Sequence, residues 1–383
     1  MIYLDAAATT KPKDCAIKAM MPYLTESWFN PSSLYRESVM VREAVDAARQ
    51  TVANIINAEP EEIIFTSGGS ESNCAAIQGF VNKCRSEGRK CAVITSKIEH
   101  KSVILCVENL GLDVEKHFLN VDKDGFIDIN ELYRILSQIP DRDILVSIQF
   151  ANNEIGTIQR IKDISSVVHT YHGVFHTDAV QAFCHESINV KNMDIDLLSA
   201  SGHKVGAPKG IGILYKKKGV DISPLIYGTQ ENGMRGGTEN VPYIIAFAAA
   251  ANDEYKNRIT KIPTLFQMRM IHRLVAEYGC IVNGSLVERL SNNINVTFVN
   301  DDTVTGESLI YLLNTGKICI SAGSACNSHS QTASHVLKAI GLSDRDAMRT
   351  IRITLPNNIT ADDIDVFMDE LKKAMKVLKI EKE

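Results

Sequence analysis

Short, nearly continuous apolar runs punctuate the first part of the chain: Glu62–Thr66, Cys91–Thr95, Ile144–Phe150, Val174–Thr177, Leu197–Ala200 and Ile211–Tyr215. Runs of this length without polar alternation are expected where both faces of a sheet are covered. Between them lie amphipathic stretches. Val39–Ile56 carries Val41, Val45, Ala48, Val52 and Ile55 at three-to-four spacing, and Ile161–His169 is a second such stretch. The alternation predicts an α/β fold with a mainly parallel central sheet. After about Tyr255 the pattern changes to a long helix (Pro263–Tyr278), strands at Asn293–Phe298, Ile318–Ser321 and Ile351–Thr354, and a closing helix Ala361–Leu378 that Thr360 can cap. This reads as a smaller α+β domain. The charged stretch Asp253–Lys261 marks the boundary, giving a large domain over 14–256 and a small one built from 1–13 and 257–383.

The chain of 383 residues is long enough for two such domains at about 150 residues each. Its 45% hydrophobic and 23% charged content exclude disordered and fibrous classes. Forty-one Lys+Arg against 46 Asp+Glu give a net charge of −5, with no basic stripe for a phosphate backbone, so direct nucleic-acid binding is not expected. The sequence contains no run of about 18 apolar residues, and Met1–Asp5 lacks a basic or apolar leader pattern, which points to a cytoplasmic protein without a membrane partner. Nine cysteines include no Cys-x-x-Cys pair, and eight of them are expected to be small buried hydrophobes.

In open α/β sheets ligands bind beyond the carboxyl ends of the strands, so the residues that follow each run carry the chemistry. After Phe65 comes Thr66-Ser67-Gly68-Gly69-Ser70-Glu71-Ser72-Asn73, a turn of small residues that opens a helix (Cys74–Lys83) and suits a phosphate. Asp178 follows the strand candidate Val174–Thr177, where a carboxylate calls for a cationic partner. After Leu198 comes Ser199-Ala200-Ser201-Gly202-His203-Lys204, a lysine at a strand end among glycines. A phosphate turn, an acid and a lysine are the three protein parts that pyridoxal 5'-phosphate needs.

With these motifs in place, the chain resembles cysteine desulfurases of the NifS/IscS type, within the class V, fold-type I pyridoxal-phosphate-dependent transferases. The resemblance runs end to end, through Tyr3–Thr10, Asn30–Ser33, Phe65–Asn73, Glu99-His100, Asn152–Gly156, the Asp178 and Lys204 segments, Arg235–Asn240 and Ser321–Cys326. It implies that Lys204 carries the cofactor as a Schiff base and that Asp178 pairs with the pyridinium nitrogen. Gln181 and Asn152 are implied at the ring hydroxyl and the cofactor–substrate region, and His100 stacks on the ring and assists proton transfer. Gly69, Ser70, Ser201 and His203 hold the phosphate, with Thr238 reaching it from the other subunit of a homodimer. Arg352, together with Asn152, grips the carboxylate of the L-cysteine substrate. Cys326, on a loop of small polar residues, is the nucleophile that takes the sulfur as a persulfide, leaving alanine. The longer loop suggests delivery to an acceptor protein, an iron–sulfur scaffold or a tRNA-thiolation enzyme.

Some positions depart from the commonest family pattern: Thr229 in Gly228–Glu231, Gln331-Thr332-Ala333, and Pro356 just beyond Arg352. Proline fixes φ there, so the last wall of the pocket is expected to differ. Asn120–Glu131 has the oxygen spacing of an EF-hand loop, but Val114–Leu119 before it reads as a strand, so the segment is expected to be a solvent-facing turn into a helix at Ile129–Ser137. His169, His172 and His176 are expected to be surface or core histidines, and no metal is expected. The competing enzymatic reading is a class V aminotransferase or a selenocysteine lyase-like enzyme, which keeps Lys204 and Asp178 without requiring Cys326. A binding or scaffold protein needs none of these residues.

Overall fold

The structure is a computed structural model that describes residues 1–258, 262–300, 303–322 and 333–380. Its main sheet has seven strands in the order Ile63–Thr66, Gly212–Lys216, Leu197–Ser201, Val174–Asp178, Asp143–Ser147, Cys91–Ser96 and Val114–Leu119. The apolar runs of the sequence are these strands. The last five are parallel throughout, as expected; Gly212–Lys216 runs antiparallel to both of its neighbours.

The runs are continuous in sequence because the pleat splits them between two cores. Ile63 and Phe65 join one core and Ile64 the other; Val146 and Leu145 divide in the same way. On one face pack helices Arg36–Ile56, Ile129–Gln138, Ile161–Thr170 and Val241–Asn257. On the other lie Gly69–Ser86 and Lys101–Glu108. The strand expected to reach Phe150 ends at Ser147 as a ladder, although Ile148 and Phe150 still donate to the carbonyls of His176 and Asp178.

A second sheet has the order Ser321–Ala322, Thr350–Thr354, Asn293–Thr297 and Ile281–Val282, antiparallel throughout. It is covered by helices Ile262–Tyr278 and Ala361–Ile380 and has its own core, which includes Leu4. The single run Ile318–Ser321 divides: Ile318–Cys319 pairs with Ile2–Tyr3, and Ser321–Ala322 with Thr350–Thr354. Ile2–Tyr3 and Ile318–Cys319 form a parallel two-stranded sheet of their own, and the Thr354 N–H donating to the Leu4 carbonyl oxygen ties the N-terminus to the second sheet before residues 5–10 cross to the first. A small cluster of Ile98, Ile155, Val336, Leu337, Ile340 and Ala347 joins two turns of the large sheet to helix His335–Ala339.

Candidate active site

Helix Gly69–Ser86 begins five residues earlier than its apolar periodicity suggests, because the small-residue turn is itself the first helical turn. Gly68 has φ 152°, and a Cβ on Gly69 would stand 2.5 Å from Val180 Cγ2 and 3.5 Å from Ser201 Cβ. Glycine is therefore required where the helix start meets the ends of two strands. The backbone N–H groups of Gly69, Ser70 and Glu71 belong to the turn that has no intrahelical partner, with Ser70 exposed and Ser201 buried beside them. That is a cradle for an anion of phosphate size.

Asp178 closes strand Val174–Asp178 and is 6% exposed. Asn73 Nδ2 donates to its Oδ2 at 2.7 Å and the Val180 N–H to its Oδ1 at 2.9 Å. The carboxylate is thus fixed in rotation with both oxygens engaged. Asn73 Nδ2 also reaches Ser102 Oγ at 2.9 Å, while Asn73 Oδ1 and Thr177 Oγ1 are buried without partners among the described residues. Lys204, in the turn after the neighbouring strand, directs its ammonium to the carbonyl oxygens of Ala7 and Ala8 (2.7 Å to the latter). Gln181 Nε2 donates to the same Ala7 oxygen at 3.1 Å.

His100 is the N-cap of helix Lys101–Glu108 and lies open to the cleft. Its Nδ1 accepts from the Ser102 N–H at 3.1 Å, so the neutral ring carries its proton on Nε2. Burial among protein atoms lowers its pKa, with Lys204, His335 and Lys101 acting in the same direction and Asp178 opposing. His203, whose Nδ1 is 3.1 Å from Thr9 Oγ1, is lowered further, to about 4, by burial and then by Lys204. Both imidazoles are neutral at pH 7. Next to His100, burial pushes the carboxyl of fully buried Glu99 up to about 8, and the Asp178 charge adds to the shift.

Arg352 comes from the second sheet. Its Nη2 donates to Asp5 Oδ1 at 2.8 Å and its Nη1 to Asn153 O at 3.2 Å, while buried Nε has no partner among the described residues. Asn152 is fully buried: Oδ1 accepts from the N–H groups of Glu154 and Ile155, and Nδ2 donates to Ile98 O. Its carboxamide shapes the turn that brings Asn153 to Arg352. Cys326 lies outside the described residues, as do Gln331 and Thr332. The described residues on either side are anchored at the cleft. Ser321 pairs with Arg352, Ser334 Oγ donates to Glu154 Oε2, and His335 Nε2 meets the Glu99 carbonyl oxygen at 3.0 Å. Thr238 is exposed, and no hydrogen bond among the described residues ties it to this cluster.

Residues 5–10 are the part of the site that strand-end reasoning passes over. Asp5 holds Arg352, the Ala7 carbonyl holds Lys204 and Gln181, and Thr9 and Thr10 bond His203. Asn73, Ser102 and Glu99 were also not singled out. The signal available for Asn73 was its place one turn along the helix from Gly69.

The other candidates resolve differently. In Asn120–Glu131, Glu131 is spent on the Asn120 N–H and carboxamide and Asp122 on the N–H groups of Asp124 and Phe126, as in a turn feeding helix Ile129–Gln138. His176 is a core histidine between Ser147 Oγ and Ser199 Oγ, lowered to about 3 by burial. His169 lies with Asp194 and Asp196 in a cluster the sequence did not foretell. Its two ring nitrogens stand 2.8 and 2.7 Å from the two carboxylates, and Lys217 stands 2.6 and 3.2 Å from them, so the carboxylates are already engaged by side chains of the protein.

Comparison with known proteins bears on this arrangement of lysine, acid and helix start. The aminotransferase class-V family matches residues 2–367. The chain belongs to that family. A protein named cysteine desulfurase IscS from Methanosarcina thermophila is 42% identical over 99% of this chain and 93% of its own length. Another of that name from Dictyoglomus turgidum is 40% identical over 99% and 95%. Among solved structures, a NifS-like protein superposes with a TM-score of 0.89 at 31% identity, covering 99% of each chain. A structure described as SspA in complex with cysteine gives 0.82 at 37% identity, over 94% of this chain and 100% of the other. Class V enzymes depend on pyridoxal phosphate in general, and the fold is that of fold-type I. No helix among the described residues is long and apolar enough to cross a membrane.

Proposed function

We propose that this class V enzyme is a pyridoxal-phosphate-dependent cysteine desulfurase that converts L-cysteine to L-alanine, Cys326 taking the sulfur as a persulfide for an acceptor protein. The observation that carries the reading is the convergence of Lys204, the clamped Asp178 and the start of helix Gly69–Ser86 on one cleft that Arg352 enters from the second sheet. The choice of sulfur chemistry over transamination rests on the end-to-end likeness to chains named as cysteine desulfurases.

The residues fit the cofactor. Gly69, Ser70, Ser201 and His203 would hold its phosphate, Lys204 its aldehyde carbon, Asp178 its ring nitrogen and Gln181 its ring hydroxyl, with His100 over the ring. The bound cofactor supplies an electron sink for negative charge at the substrate Cα. Asp178, with both oxygens fixed, presents its carboxylate where a ring nitrogen must stay protonated. Glu99, holding its own proton at neutral pH, adds no second charge beside it. Burial disfavours the protonated form of His100, and because the Ser102 N–H donates to Nδ1 the neutral ring offers the cleft an Nε2–H donor. Arg352 orients a carboxylate, and Asp5 keeps the guanidinium from swinging away in its absence. Cys326 as thiolate is the group competent to accept sulfur.

A cytoplasmic homodimer belongs to the same reading. Trp28, Leu34, Tyr35, Met40 and Tyr227 are exposed, and Pro31 and Ser32 share a cavity wall with Thr229–Asn232 and Glu239, whose Oε2 is buried without a partner among the described residues. An apolar rim around an unfinished polar pocket suits a second copy, with Thr238 reaching that copy's phosphate. An iron–sulfur scaffold or a tRNA-thiolation enzyme is the proposed acceptor. The division into 14–256 and a small domain from 1–13 and 257–383 is proposed with it. The test is incubation of purified protein with L-cysteine, measuring alanine and sulfide with and without reductant. Alanine should form, and Lys204→Ala should abolish both turnover and the visible cofactor band; a wild-type protein that takes up no pyridoxal phosphate refutes the reading.

A further inference from the structure

Of the eight described cysteines, Cys15, Cys74 and Cys319 are partly exposed, where burial was expected. The polar cluster that the chemistry above leaves unused is centred on a carboxylate. Glu254, on helix Val241–Asn257 and 4% exposed, gathers side chains from three other segments. Its Oε2 pairs with the Lys13 ammonium, which also reaches Asp253 Oδ2 at 2.7 Å. Its Oε1 stands 3.5 Å from His185 Nε2 and accepts from the Asn357 carboxamide. Burial by itself would raise the pKa of this carboxyl, but His185 and Lys13 draw it down to about 2, so Glu254 is charged at neutral pH.

Each of the three partners leads back to the site. The Lys13 N–H donates to Gly206 O at 2.8 Å, two residues from Lys204, and a Cβ on Gly206 would stand 2.5 Å from Lys13 Cγ. His185 Nδ1 lies 3.0 Å from the carbonyl oxygen of Gln181. Asn357 follows Pro356, one of the departures from the family pattern, just beyond the strand Thr350–Thr354 that carries Arg352. Pro356 has a fixed φ and its carbonyl accepts from the Ile359 N–H at 3.2 Å, which stiffens the connection between that strand and Asn357. Arg352 is thus joined to Lys204 by two routes, one through Asp5 and Ala7, the other through Asn357, Glu254, Lys13 and Gly206. The two sheets have separate cores, so polar contacts that cross between them help to set where Arg352 stands.

We propose that Asn357 and Glu254 form a clasp that sets the reach of Arg352 toward Lys204, making Asn357 a positioning residue for the carboxylate of the amino-acid substrate. The inference rests on the proposed function in one respect, that Arg352 grips that carboxylate. A hydrogen bond to a charged oxygen is stronger and more directional than one between neutral groups, so the Asn357 contact holds the strand of Arg352 at one distance from helix Val241–Asn257. Asn357 itself is exposed, and its removal empties no part of either core.

The test is titration of the visible cofactor band of the pyridoxal-phosphate-loaded protein with two amines. L-alanine has the carboxylate of the substrate but no sulfur, and methylamine has the amine alone. Asn357→Ala should weaken L-alanine by more than twofold and up to about tenfold, the range open to one such hydrogen bond, while methylamine stays within twofold of wild type. Asn357→Asp, which sets a second carboxylate against Glu254, should weaken L-alanine further. L-alanine affinity within twofold of wild type in both variants overturns the clasp, whatever their urea midpoints, because the contact then serves stability alone. An equal loss toward methylamine also overturns it, since the disturbance then does not pass through Arg352. In either case a wild type that binds cofactor and releases alanine from cysteine keeps the desulfurase reading; a wild type that takes up no cofactor overturns both.

Discussion

Asn73→Ala isolates the contribution of the carboxylate clamp. The substitution deletes the 2.7 Å hydrogen bond to Asp178 Oδ2 and the 2.9 Å bond to Ser102 Oγ, and leaves the Val180 N–H as the remaining donor to the acid. A hydrogen bond to a charged partner contributes about 1.5–3 kcal/mol. If the clamp acts fully in the transition state, kcat falls roughly 10- to 150-fold, since each 1.36 kcal/mol is tenfold in rate. The fold also loses stability, by about 1–3 kcal/mol for the buried groups left unpaired. Removing Asn73 Oδ1, itself buried without a partner among the described residues, offsets part of that loss. Because the amide holds Asp178 and is not proposed to touch the substrate, KM for cysteine should change little. The assay is alanine release at saturating pyridoxal phosphate across cysteine concentrations, with urea unfolding on the same sample to separate rate from stability. A kcat within twofold of wild type, with cofactor bound and the fold intact, refutes the clamp. A rise in KM at unchanged kcat assigns Asn73 to binding instead.

Cys326→Ser should lower alanine release from cysteine by orders of magnitude while the cofactor's visible band persists, because a hydroxyl is scarcely ionised at pH 7. Wild type should gain about 32 Da on Cys326 after turnover, one sulfur atom on the thiol; full turnover by the serine variant with no mass gain on wild type favours the aminotransferase or lyase reading. Glu99 keeps its proton in the folded state up to about 8 but loses it near 4.3 when unfolded, so stability falls as pH rises between those values. Glu99→Gln, which has no proton to lose, should show a smaller fall in urea midpoint between about pH 5 and pH 8, and an unchanged fall in the variant contradicts the assignment. Trp28→Glu, aimed at the exposed rim, should shift sedimentation toward monomer and reduce turnover; full activity in a demonstrably monomeric form removes Thr238 from the proposed partner site.

Much of the architecture was legible because it depends on local patterns. Strands covered on both faces must be apolar throughout, and Ile63–Phe65 records that requirement directly even though its side chains serve two different cores. The glycines at the helix start, the acid at the end of strand Val174–Asp178 and the lysine after Leu197–Ser201 were visible because strand-end positions in an α/β sheet have few structural reasons to hold such residues. The direction of one strand was not legible: nothing in the composition of Gly212–Lys216 reveals that it runs against its neighbours, because one apolar run satisfies either hydrogen-bond pattern. Nor were the long-range partners. Asp5 meets Arg352 across 347 positions, Asn73 meets Asp178 across 105, and the Ala7 carbonyl meets Lys204 across 197. Such contacts leave no periodic trace, because each needs only one polar atom at the right point in space. The sequence by itself determined which chemistry the chain could carry; the tertiary structure decided which neighbours hold the acid, the lysine and the arginine, since those distances exist only once two sheets and the N-terminal segment have packed together.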